Sequence, residues 1–124
     1  MSQENVEVVR RFVNSDLDEG WADADPSIVW NPLEEPEVHG PDAARASLAR
    51  WDSAWDEYEV IFEAFVDAGD RVLVTLRMRG RGPGTGIEVE ARLYDVYTLR
   101  DGLIVRMDEF SDRPEALEAA GLRE

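Results

Sequence analysis

A chain of 124 residues, 44% of them hydrophobic, can bury one sound core but is too short to divide comfortably into two, so residues 1–124 are read as a single domain. Its 28 acidic against 13 basic residues give a formal charge of −15, which repels phosphate backbones and anionic membrane surfaces and argues against nucleic acid or membrane as partners. There is no cysteine for a disulfide, thiolate metal site or nucleophile, and no apolar run near the roughly 18 residues of a membrane span, so a cytoplasmic protein is expected.

Ser2 can cap a first helix, in which Val6, Val9, Val13 and Leu17 recur at helical spacing. Residues 16–20 read as a break and 21–24 as a short helical turn before Asp25-Pro26. Ile28-Val29-Trp30 is a short β-prone run stopped by Asn31-Pro32, and residues 33–40 read as a loop. Pro41-Asp42 opens a clear helix whose Ala44, Leu48, Trp51 and Trp55 form one apolar stripe. From Tyr58 the period becomes two, and residues 58–67, 71–81, 87–100 and 103–111 read as successive strands. Ala68-Gly69-Asp70, the glycine-rich 80–86 and Asp101-Gly102 supply the turns between them.

In the third of these strands Ile87, Val89, Ala91, Leu93, Asp95, Tyr97 and Leu99 share one face. Arg77, Arg79 and Arg81 stand opposite Glu88 and Glu90, as register-fixing ion pairs. The glycine run joins two strands, so it is a hairpin tip and no phosphate loop. Asp112 or Arg113 starts a last short helix over 114–120, stopped by Gly121.

The order predicts an α+β fold: a curved antiparallel sheet with about three N-terminal or central helices around an apolar pocket, and a short C-terminal helix. Long strands coil, so one flat layer cannot fill their concave side. Phe12, Trp30, Asn31, Trp51, Trp55, Tyr58, Phe62, Tyr97 and Met107 are candidates to line it.

Asp95 is the foremost chemical candidate, because alternation places it on the buried face, where an ionised carboxylate is costly. A structural aspartate with a buried partner, or one turned outward by a bulge, is the competing reading. Glu109 shares the inward face if Met107 is core; two carboxyls in one cavity suit acid–base work. The alternative turns Asp108 or Phe110 inward instead. His39, the only histidine, is too isolated for a metal site; it is a capping or surface residue, or a base at the pocket lip. No metal is expected.

Residues 4–12, Ala68-Gly69-Asp70-Arg71-Val72, residues 97–106 and residues 114–122 carry a resemblance that spans the chain. It resembles the nuclear transport factor 2-like fold, a cone of curved sheet plus three helices, and within it the SnoaL-like domain proteins. The resemblance implies an internal pocket, no cofactor, and a homodimer, for which Tyr94, Val96 and Thr98 offer an outward patch. Ketosteroid isomerases of this fold use a helix-one tyrosine, a base aspartate on the first strand and a second acid near the last hairpin. The matching positions hold Phe12, Asn31 and Asp95, so the acid is kept while base and tyrosine are lost. Epoxide hydrolases of the fold place an arginine two residues before an aspartate, whereas Arg92 precedes Asp95 by three and faces the other way. SnoaL-type polyketide cyclases rely on one aspartate, a role open to Asp95. The expected function is a pocket for a small apolar molecule, with cofactor-independent isomerisation or cyclisation through Asp95. The alternative is a non-catalytic ligand binder or dimerisation scaffold.

Overall fold

In the computed structural model, residues 2–15, 21–33 and 35–122 are described. Helix α1 (Ser2–Val13) is followed by a 3-10 turn (Trp21–Asp23), strand β1 (Ala24–Asn31), the two-residue β2 (Val38–His39) and helix α2 (Pro41–Ser53). Strands β3 (Glu57–Ala68), β4 (Arg71–Arg81), β5 (Glu88–Arg100) and β6 (Leu103–Phe110) precede helix α3 (Arg113–Ala120). The expected break over 16–20, with Leu17, lies outside the described residues.

The meander is as the period-two pattern predicts, with Asp95 opposite Val74 on one side and Glu109 on the other. Asp101 and Gly102 both take positive φ, 53° and 79°, the twist a two-residue hairpin needs. Across the β4–β5 hairpin Arg77 approaches Glu90 at 3.6 Å and Arg79 approaches Glu88 at 3.8 Å.

Two features correct the expectation of a purely antiparallel sheet. The order is β2-β1-β6-β5-β4-β3, and β1 runs parallel to β6. The α2 crossover carries the chain away after β1, so β6 can close on it in the same direction only when the meander is complete. The loop over 33–40 also contains β2, which pairs antiparallel with β1. Irregular registers between Phe62 and Ala64, and between Thr98 and Leu99, bend the sheet. At the first, Glu63 is the extra residue, so Phe65 rather than Ala64 next turns inward.

The concave face holds the main core, in which α1 contributes Val6, Val9 and Phe12 while β4 and β5 contribute Val74, Leu76, Leu93 and Tyr97. Ile87 and Val89 continue that face beyond its cover and are exposed. Helix α3 packs on the opposite face, where Leu73, Val96, Ala116, Leu117 and Ala120 form a second buried cluster. Asp112 caps it by accepting the Glu115 N–H at 3.1 Å, and Gly121 ends it at φ 77°. This corrects the outward patch: Val96 is only 1% exposed, because the chain's own helix covers it.

The α2 stripe also departs from expectation at its end. The helix stops at Ser53, so Trp55 leaves it and lies against the β4 backbone, where a Cβ on Gly80 would come within 2.5 Å of its ring. Among the described residues no helix is long and apolar enough to cross a membrane.

Candidate functional site

A cavity of about 400 Å³ opens between the concave sheet, α1 and α2, within the range of small-molecule sites. Phe12 of α1, Trp21, Trp30 of β1 and Tyr97 of β5 meet at ring separations of 5.0 to 6.5 Å and wall one side. Trp51 of α2 and Tyr58 of β3 wall the other, 6.2 Å apart, with the Trp51 indole N–H bonded to the Tyr58 hydroxyl. Phe62 and Met107 also face the space.

Asp95 lines the cavity at 6% exposure. Because β5 and β6 pair Asp95 with Glu109, the two carboxyl groups project from adjacent strands on one face and hydrogen-bond each other. Glu109 is further held by the Leu33 backbone N–H, which donates to its Oε1 at 3.3 Å. The Oδ1 atom of Asp95 is buried and accepts no hydrogen bond from an N–H or hydroxyl group among the described residues.

Burial, then the negative charge of Glu109 and the bond to it, raises the Asp95 pKa well above the ordinary carboxylate range. Asp95 therefore keeps its proton at a pH where an exposed aspartate has lost it. Burial, with the two carboxyls adding, also holds the Tyr97 phenol well above its usual value. Tyr58 is pushed up to about 12, mainly by burial and against the Trp51 hydrogen bond. Both phenols stay neutral near pH 7.

Three expected site residues lie elsewhere. His39 sits on the short edge strand with its side chain 68% exposed, 3.3 Å from Glu37, and does not line the cavity. Asn31 follows inward Trp30, so strand alternation turns it to the other face, where its Nδ2 donates to Asp108 at 2.9 Å. There it joins an outer cluster in which Arg106 binds Asp108 at 2.8 Å and Glu37 at 3.0 Å. Trp55 stacks on Tyr58 from outside the lining. Arg92 points outward to Glu63 at 2.9 Å, as its spacing from Asp95 implies.

Ser47 and Glu35 are among the lining residues that the sequence pattern does not single out. Ser47 is 2% exposed, and its hydroxyl donates to Glu35 at 2.9 Å. Ser47 precedes Trp51 by four on α2, so a small polar residue on the apolar stripe was the available signal; Glu35, in a loop, gave none. A larger depression of about 790 Å³ lies between the start of α1 and the β5–β6 turn. Its lining includes exposed Glu4, Asp70, Arg100 and Asp101 and no buried acid, so the chemistry favours the smaller space. Among the described residues no group of three His, Asp or Glu side chains is placed to hold a metal ion.

The sequence matches the SnoaL-like domain family over residues 6–107. A nuclear transport factor 2-like protein of Burkholderia thailandensis E264 is 25% identical, with TM-score 0.80 over 96% of this chain and 98% of that one. A protein of Jannaschia sp. CCS1 assigned as a SnoaL-like polyketide cyclase is 25% identical, with TM-score 0.78 over 98% of this chain and 94% of that one. A nuclear transport factor 2-like protein of Burkholderia xenovorans LB400 is 26% identical, with TM-score 0.74 over 97% and 98%. No curated protein matches the chain. The family match spans most of the sequence, and the fold agrees with it: the chain belongs to the SnoaL-like domain family.

Proposed function

We propose that the cavity binds a small, largely apolar carbonyl compound and that Asp95 and Glu109 move a proton beside its carbonyl. The observation that carries this reading is the buried Asp95 carboxyl on the cavity wall, paired across the strands with a second carboxyl. Asp95, which keeps its proton, is the acid of this reading and Glu109 the base. The ionised carboxyl takes a proton from the carbon next to the carbonyl. The C–H electron pair becomes a C=C bond, and the carbonyl oxygen takes the proton of Asp95. The product is an enol, and the pair resets across its own hydrogen bond. Reprotonation at another carbon would isomerise the substrate; attack of the enol carbon on a second carbonyl would close a ring.

Similarity to a protein assigned as a polyketide cyclase supports this class of reaction. The test is deuterium exchange at the α-carbon of 1-tetralone in D2O, followed by NMR. Wild type should exceed buffer, Asp95→Asn should lose on the order of 100-fold or more of that excess, and His39→Ala should match wild type. A bound ketone that exchanges no faster than in buffer would refute the step. It would favour the second reading, a binder without turnover, for which the hydrocarbon ring of Phe12 in place of a phenol is the supporting observation.

A further inference from the structure

The cavity combines aromatic walls with carboxyl groups. Trp30, Trp51 and Tyr58 face it with Asp95 and Glu109, and partly exposed Glu35 and exposed Asp52 add two more carboxyls; among the described residues no Arg or His lines it. The chain's 13 basic residues are all arginines. Arg50 is 3.7 Å from Glu35 and the Arg45 guanidinium sits 5.4 Å from the Trp21 ring centre, and neither is among the lining residues. Arg77, Arg79 and Arg92 pair with glutamates on the outer face.

We propose that this cavity selects an organic cation, a hydrophobic molecule carrying a protonated amine or quaternary ammonium group. The faces of tryptophan and tyrosine attract a cation through the ring quadrupole, most strongly where water is excluded. An anion of the same shape would be desolvated among carboxyl groups with no counter-charge. The Asp95 carboxyl lines the cavity and keeps 6% exposure, so its accessible oxygen can accept an N–H from a protonated amine. The inference rests on the cavity being the ligand site and needs no reaction there; a carbonyl compound with an amino group satisfies both readings.

Three probes of one skeleton test it: benzyltrimethylammonium, the neutral isostere neopentylbenzene, and the anion 2,2-dimethyl-3-phenylpropanoate. Quenching of the cavity tryptophans reports binding. The cation should bind roughly tenfold tighter than the neutral probe, equivalent to about 1.4 kcal/mol, and the anion should not saturate. Neopentylbenzene should displace the cation, which separates the cavity from the acidic surface. Glu109→Gln should shrink the cation's advantage to less than about threefold and leave neopentylbenzene unaffected, in line with loss of one nearby charge. If that variant does not fold, the wild-type series decides alone. Equal or weaker binding of the cation, or a cation that neopentylbenzene cannot displace, overturns the charge selection while leaving the pocket in place. Failure of all three probes to bind removes the pocket reading with it.

Discussion

Replacing Asp95 with Asn should make the protein more stable as pH rises, and the slope of that gain is set by one proton. Folded Asp95 keeps its proton above the ordinary carboxylate range, because it is buried beside Glu109. Unfolded, it ionises near pH 4. Between those two values the native state binds one more proton than the unfolded chain. Wild-type stability is therefore full below the unfolded value and is lost as pH rises toward the folded one, at about 1.4 kcal/mol per pH unit. Asn has nearly the same shape, does not titrate, and can donate from its amide to the Glu109 carboxylate. Urea unfolding of both proteins from pH 4.5 to 8 gives a difference curve in which the titrations common to both largely cancel. Wild type minus Asp95→Asn should fall steadily with pH until the native group ionises, then level. A flat difference, or one rising with pH, would refute both the raised Asp95 pKa and the acid role built on it.

Gly80→Ala should destabilise by about 1–3 kcal/mol in thermal or urea unfolding, because its Cβ would press within 2.5 Å of the Trp55 ring, and the same change in a Trp55→Ala background should cost little. Tyr58→Phe should leave the Trp51 N–H without its acceptor and cost about 1–3 kcal/mol; in the parent, ultraviolet titration should show one tyrosine ionising only near 12. The expected homodimer would use the outer strip that α3 leaves open, where Ile61 and Val66 are 38% and 39% exposed; light scattering at micromolar concentration should give twice the chain mass, and a monomer would refute it.

Local chemistry made much of the fold legible. Asp101-Gly102, the Asp112 cap, Gly121 and the alternation of Leu93, Asp95 and Tyr97 each act through their nearest neighbours in sequence, and each stands where the pattern puts it. What was hidden depends on distant partners. The parallel pairing of Trp30 with Met107 joins residues far apart in the chain, and α2 between them carries no mark of it. Asn31 was misplaced because a three-residue apolar run does not reveal which face is inner until Trp30 has a neighbour. Glu35 reaches the cavity only through its bond to Ser47. Val96 alternates outward as expected, yet whether that face meets solvent or a helix depended on where the last eight-residue helix folds back.

That same residue bears on why the acid stays inside. Judged locally, a one-residue slip of β5 would improve this part of the sheet: Val96 would enter the apolar cavity and Asp95 would reach solvent. The slip would also break the ladders that β5 makes with β4 and β6, and it would withdraw Val96 from its place among Leu73, Ala116 and Leu117. One buried face already specifies a strand's register, and apolar contacts on both faces specify it further. Helix α3 lies on the far side of the sheet and touches nothing in the cavity, yet by burying Val96 it fixes the register that holds Asp95 against Glu109.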